Sequence, residues 1–514
     1  MRFSRIFNPR PFSLPIGRLG LLTIAALLVH GYHLGTEDAE IYLPGALKAA
    51  DPSLFSFAPE FFQSHAHLSL FSSMVGWSIR LTHLPPDWVF FLWYLATLFA
   101  ALVSCWMLAE ACFESPRARW GAVLVTTVLL TMPATNTGLL LVDPYLTARS
   151  LSTPLCLFTL AVFLRKQFAW ALAGLLVTAA IHPQMVVYLA FLLGVIHYGG
   201  RATVPEEEPV PVLAGLAASM VFLLPSGFHL ERAHGAYREA LYSRDYFFLY
   251  NWTWYHWLGL LAPLGILAYL WRSNLRGTCC AMRKLCLALV PFGLASIAVA
   301  ALFATSPAFD MFERLQPLRS FHLITLIFIL LMGGILAEFT ANKHRWILPA
   351  TTVLLAIGMF VVGKTTYPDS PHIELPSSSS SNPWINTLLW VRHNTPKDAV
   401  FAVDSRYFEA PGTDMHGFRA ISERSALADY YKDSGAVSLF PSLADSWKSM
   451  STATTGLNNF TESDFKHLRE EYPQVSWTVI RGQAPAGLEC PFAQAPYTVC
   501  KMPEVVGSVF TSGE

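Results

Sequence analysis

Charge is scarce in this sequence, and neither sign is in surplus. Only 14% of the 514 residues are Asp, Glu, Lys or Arg, with 35 acidic side chains against 35 basic ones. That balance removes the usual argument for nucleic acid or a strongly acidic partner. Combined with 53% hydrophobic residues and a mean hydropathy of +0.41, it also removes a soluble globular chain, whose surface so few charges could not cover. The eight cysteines show no metal-type spacing, so nothing demands a structural zinc. No internal repeat is visible. No small-x-small cleavage site follows the first apolar run, which reads on into "GYHLGTEDAE" and is expected to remain as an anchor.

What the sequence does hold is apolar runs, at 17–34, 87–112, 119–133, 150–164, 167–181, 183–197, 209–225, 254–271, 285–304, 320–338 and 346–363. Most reach the roughly 20 residues that cross about 30 Å of hydrocarbon. The short pair joined at His182–Pro183 needs polar ends at the interface or a thinner bilayer. The fold class is therefore a polytopic α-helical membrane protein of about 11 spans. The stretch 67–84 is not counted. Its Leu70, Met74, Trp77, Leu81 and Leu84 share one helical face, while Ser69, Ser73, Gly76 and Arg80 share the other, as in a helix lying in the interface.

Positive charge orients these spans. With the N-terminus inside, the inner segments 1–18, 113–119, 165–166, 198–208, 272–284 and 339–345 hold fifteen Lys or Arg. The outer loops 35–86, 134–149, 226–253 and 305–319, about twice as long in sum, hold eight. On this reading residues 1–363 form the membrane domain, and 364–381, with "PSSSSS", form a linker. Residues 382–514 form an outer, soluble α/β domain. In it "NPWINTLLWVRHN" (382–394) and "SDFKHLRE" (463–470) read as helices, and "AVFAV" (399–403), "EYPQVSWTVI" (471–480) and "APYTVCKM" (495–502) as strands. Cys490 and Cys500 lie ten residues apart there and could pair on an oxidising side; two free thiols are the alternative.

An acidic cluster at the start of a long first outer loop, an odd number of spans and a C-terminal outer α/β domain together resemble the GT-C superfamily of membrane glycosyltransferases. That group includes protein mannosyltransferases and lipid A aminoarabinose transferases. "WVRHNTPKDAVFAV" (390–403) is similar to the helix, Thr-Pro turn and strand that open the tail domain in many bacterial members, and "HGFRAISERSALADYYKDSG" (416–435) resembles a segment of uncharacterised bacterial members. The Trp-Trp-Asp-Tyr-Gly signature of oligosaccharyltransferases is missing, since "DSRYFEAPG" (404–412) follows the strand. Transfer of asparagine-linked glycans is therefore not expected. The resemblance implies an integral protein of a bacterial inner membrane, its tail periplasmic, that takes a sugar from a polyprenyl-phosphate carrier. Its partners are then membrane lipid and the lipid-linked sugar donor, with no nucleic acid and no certain cofactor.

Such chemistry needs a base for the acceptor and cations for the leaving phosphate. Asp38, helped by Glu37, fits the base, because a carboxylate beside lipid is expected to have a raised pKa. The alternative is that "TEDAE" is only the first turn of a helix, capped by Thr36, with Glu40 in the same turn. For the phosphate, Arg314, Arg319 and His322 cluster where the chain re-enters lipid, and Asp143 and Arg149 lie on the same side. The competing reading pairs Arg314 with Glu313 or Asp310, or lets these side chains snorkel to headgroups. His182, at a helix break near the same face, is a further site candidate, with a plain helix-end feature as the alternative. The loop 226–253 alternates charges with aromatics, as in an amphipathic surface helix or the wall of a lipid groove. His65 and His67, near acids, could hold a divalent metal, though no spacing calls for one. Transport is the rival class, but the halves do not match and mid-membrane charges are few. A non-catalytic partner of the same fold in envelope glycan assembly is the other.

Overall fold

The computed structural model of the chain describes residues 12–201, 230–273, 275, 277–340, 344–376 and 380–503. The apolar part is built from α1 (Ile16–His30), α2 (Ala39–Ala50), α3 (Glu60–Ala66), α4 (Phe71–Thr82), α5 (Pro86–Cys112), α6 (Pro116–Val128), α7 (Ala148–Leu164), α8 (Phe168–Ile181), α9 (Pro183–Arg201), α10 (Gly235–Tyr242), α11 (Trp254–Arg272), α12 (Cys280–Phe303), α13 (Phe321–Thr340) and α14 (Ile347–Thr366). Ten of the eleven apolar runs coincide with a helix, and the eleventh, 209–225, lies outside the described residues.

Length separates these helices. By length and composition, four described segments can cross a membrane: Pro86–Cys112, Cys280–Phe303, Pro307–Thr340 and Ile347–Thr366. Ile16–His30, Ala148–Leu164, Phe168–Ile181 and Pro183–Gly199 are apolar but shorter. The run 119–133 loses its last turn because the helix stops at Val128, and the chain then doubles back so that Pro133 bridges Leu140.

Burial argues for lipid around the bundle. Helix α14 has no buried residue, and Val353, Leu354 and Ile357 on it are 58%, 70% and 57% exposed. An apolar helix that packs along one side and leaves the rest of its apolar surface bare is stable only in an apolar solvent. Helix α13 is the opposite, with Phe321, Ile324 and Leu330 at 0% exposure in the centre of the core. It crosses α6 at small residues: a Cβ added to Gly121 would lie 2.7 Å from the Gly333 carbonyl, so only glycine admits the approach. Helix α4 covers 71–82 of the expected 67–84 and is too short to span. It packs Gly76 against the α2 backbone and leaves Leu70, Trp77, Leu81 and Leu84 exposed, which is the outward apolar stripe that the sequence implies.

The tail domain holds α15 (Pro383–Asn394), α16 (Lys432–Leu439), α17 (Ala444–Ala453) and α18 (Glu462–Glu471) around one mixed sheet. Strands β1 (Val400–Val403), β2 (Ser425–Ala426), β3 (Val475–Arg481), β4 (Phe492–Gln494) and β5 (Tyr497–Lys501) lie in the order β2-β1-β3-β5-β4. β1 runs parallel to β2 and β3, and the last three strands are antiparallel neighbours. Cys490 and Cys500 form a disulfide.

Backbone and buried charge fasten this domain to the first loop. Gly417 donates to the Gly35 carbonyl at 2.8 Å and Glu37 to the Met415 carbonyl at 3.0 Å. Below them Glu374 is wedged between two histidines, 2.9 Å from His33 Nδ1 and 2.9 Å from His416 Nε2, and also accepts from the Leu34 N–H. All three side chains are at most 9% exposed. Burial opposes the Glu374 charge, but His416 and His33 outweigh it and hold its carboxyl near about 2; the same pairing raises His416.

Candidate functional site

A cavity of about 1010 Å³ opens where the first loop, the N-terminus of α7, the α8–α9 break, the 314–319 segment and α16 of the tail meet. Its polar end brings five cations, Arg149, Arg244, Arg314, Arg319 and Lys432, around one carboxylate, Asp38, among the described residues. The rest of the lining is mostly apolar. Val187 and Phe191 of α9 face Phe292 and Val299 of α12, and Phe191 and Val299 are also 40% and 41% exposed on the outer surface of the bundle. The cavity thus joins a charged chamber to a slot between two apolar helices, α9 and α12.

Local sequence sets the chamber's groups. Helix α7 begins with a capping box in which Thr147 and Ser150 bond each other's backbone N–H, and this fixes Arg149 in the first turn. Arg149 Nη2 then reaches Asp143 at 2.8 Å and Asp38 at 3.2 Å. From the opposite side Lys432 Nζ meets Asp38 at 3.2 Å and also pairs with Glu37. Asp38 is thereby a bridge between α7 and the tail, with 28% of its side chain still open. Arg319 stands over the Tyr246 ring, and its Nε has no partner among the described residues. Arg244 is held by Ser434 Oγ at 3.0 Å and the Tyr431 carbonyl. Neither Arg319 nor Arg244 has a carboxylate partner among the described residues, so their charge faces the cavity.

This geometry reverses the expectation for Asp38. Burial does push its pKa up, but Lys432, Arg149 and Arg319 outweigh burial and hold it well below the ordinary carboxylate range. Sequence proximity to lipid gave the desolvation without the three cations that fold next to it. Thr36 does not cap α2 either; Asp38 occupies the cap position, and the Thr36 hydroxyl donates to the His33 carbonyl at 3.4 Å.

Of the other expected site residues, Arg149, Arg314, Arg319, His182 and His65 line the cavity. Arg314 Nε donates to the Met311 carbonyl at 2.9 Å, while Asp310 accepts from the Ala233 N–H and the Tyr242 hydroxyl. Glu37, Glu40, Asp143 and His322 are not in the lining. Glu37 and Asp143 stand behind it as partners of Lys432 and Arg149. His322 is fully buried with Nε2 2.9 Å from the Leu141 carbonyl, so it braces the 134–142 turn instead of meeting a phosphate. Glu40 accepts from the Arg419 and Ala420 N–H groups at 2.9 and 2.8 Å, and burial raises its carboxyl to about 7. Its oxygens are spent on docking the tail. The 226–253 loop is not a free surface helix: α10 buries Tyr237, Ala240 and Leu241 and ties to the tail through Glu239 and Lys448. Residues 226–229 lie outside the described residues. Among the described residues no group of three His, Cys, Asp or Glu could hold a metal ion.

Two cavity cations were not singled out from sequence. Lys432 belongs to "ADYYKDSG", and the signal available was its concentration of charge between apolar stretches. Arg244 is one of several arginines in its loop, with nothing local to select it. Compared with known proteins, the chain matches no family model and no curated protein.

Proposed function

We propose that this chain is a membrane glycosyltransferase that moves a sugar from a polyprenyl-phosphate carrier to an acceptor at the outer face of the membrane. The observation that supports this reading best is the shape of the cavity. Five cations at one end suit a phosphate, and the apolar slot between α9 and α12 suits an isoprenoid chain lying in the bilayer. Arg319 and Arg244, which make no ion pair with a carboxylate among the described residues, are the phosphate ligands in this reading, with Arg314 beside them. Asp38 faces the reacting carbon of the sugar. A substrate-conducting transporter would instead place ionisable groups along a path through the bundle.

Polyprenyl phosphate should bind the purified protein in nanodiscs, and Arg319→Ala should weaken that binding roughly ten- to a hundred-fold, the usual range for a lost charge-assisted contact. Wild-type protein that binds no polyprenyl phosphate would overturn the proposal.

In the same reading about eleven spans cross the inner membrane of a bacterium, the N-terminus is inside and the tail is periplasmic. Exposed rings fit the interfaces of such spans: Trp88, Trp254 and Tyr255 sit at helix ends assigned to the outer face, and Trp170, Tyr269 and Trp346 at ends assigned to the inner face, while the orientation itself rests on the Lys and Arg count. An impermeant maleimide added to intact cells should label Leu230→Cys and Ser449→Cys and leave the exposed native Cys280 untouched. Labelling of Cys280 alone would invert the topology.

A further inference from the structure

The chemistry proposed above leaves one proton without a destination, because Asp38 is held by three cations and is a poor proton acceptor. Another group in the cavity is free to take it. His65 on α3 lines the same chamber, its ring set edge-on to Tyr42 and to Phe440 of the tail. Neither ring nitrogen makes a hydrogen bond among the described residues, and Nδ1 is shielded from solvent. An unsatisfied imidazole in a charged cavity is costly unless a ligand completes it.

We propose that His65 is the catalytic base that accepts the proton of the incoming acceptor, on the premise that the cavity binds a lipid-phosphate-linked sugar. In this step the acceptor's oxygen or nitrogen forms a bond to the anomeric carbon. The bond from that carbon to the carrier phosphate breaks, and its electron pair leaves with the phosphate, which the arginines receive. The acceptor's proton passes to the imidazole, and the resulting imidazolium lies opposite Asp38 and the released phosphate. The proton returns to solvent when the cavity opens.

The groups facing His65 favour it over its neighbour. Burial lowers its imidazole to about 4 and keeps it neutral, while Asp38 on the first loop and Asp433 on α16 favour the cationic form and Arg319 disfavours it. His182 also has a shielded, unpartnered Nδ1, but Arg149, Arg319 and His65 all face it with positive or potentially positive charge. A bound phosphate anion would cancel Arg319 and raise His65 toward neutrality, so the substrate itself would switch on the base.

The test uses the full chain in nanodiscs, with diethylpyrocarbonate as the probe of neutral imidazole and peptide mass spectrometry as the readout. Without ligand His65 should be modified at pH 6. Polyprenyl phosphate should slow that modification at least ten-fold and move its pH midpoint upward. His65→Gln should bind polyprenyl phosphate within about three-fold of wild type, unlike Arg319→Ala, yet release sugar from a panel of radiolabelled polyprenyl-phosphate sugars roughly 10²–10⁴ times more slowly. Unchanged modification with the lipid bound, or wild-type release in His65→Gln, overturns the role of His65 and leaves the transferase reading standing. Absence of polyprenyl-phosphate binding in the wild type overturns both.

Discussion

Asp38→Asn is expected to lower sugar release from a polyprenyl-phosphate donor by about 10²–10³-fold while carrier binding stays within a few-fold. The size is that of removing one fixed charge from a preorganised site. The wild-type carboxylate lies 3.2 Å from both Lys432 Nζ and Arg149 Nη2, with part of its surface turned to the cavity. An amide leaves those two cations without their shared anion and, in the proposed transferase, removes the negative charge opposite the positive character that would grow on the sugar ring. The pH behaviour separates this from loss of a base. A depressed carboxylate contributes fully above its ordinary range and loses its contribution only as pH falls through the lowered value. Asp38 therefore should not titrate between pH 5 and 8, and Asp38→Asn should reduce the rate by the same factor across that window. A pH-dependent factor there, or wild-type activity in the variant, would exclude the role.

The second large effect lies away from the cavity. Glu374→Gln should destabilise the docked tail by about 3–5 kcal/mol, because it leaves two buried histidines beside a neutral amide. The wild-type joint has a window of its own. The Glu374 contribution is present above the ordinary carboxylate pKa and fades as pH falls toward about 2. The His416 contribution runs the other way: it is complete below the usual imidazole value and is lost as pH rises through the raised one. Thermal melts of the wild type should therefore be highest between those limits, and added protease should degrade the tail of the variant faster than that of the wild type. A melting temperature within a degree of wild type would show that the joint contributes nothing.

Sequence reading was strongest where one physical term dominates. Continuous apolar runs placed ten helices, most within a few residues of their observed bounds, since a helix in lipid has no other way to satisfy its backbone. The short α4 and its outward Trp77 and Leu81 were legible for the same reason. Topology then put Asp38, Arg149, Arg314 and Arg319 on one face, and the structure gathers them in one cavity. What stayed hidden depends on contacts hundreds of residues apart. Lys432 reaches Asp38 across 394 positions, and no local pattern encodes that. The direction of the Asp38 pKa failed for this reason. Glu40 and His322 looked like neighbours of the chemistry but are spent on Arg419 and on the Leu141 carbonyl, roles visible only once those partners have been brought in.

The chamber is also assembled out of chain order. Its first carboxylate appears at residue 38, and its last cation, Lys432, follows the final membrane helix of the chain by 66 residues, counting from Thr366. A nascent chain can therefore insert every helix before Asp38 acquires its second counter-ion and before Glu40 and Glu374 find the segments they hold. Synthesis and tail folding thus act as a timer: the charged chamber closes only after the tail has been made and has folded against the first loop.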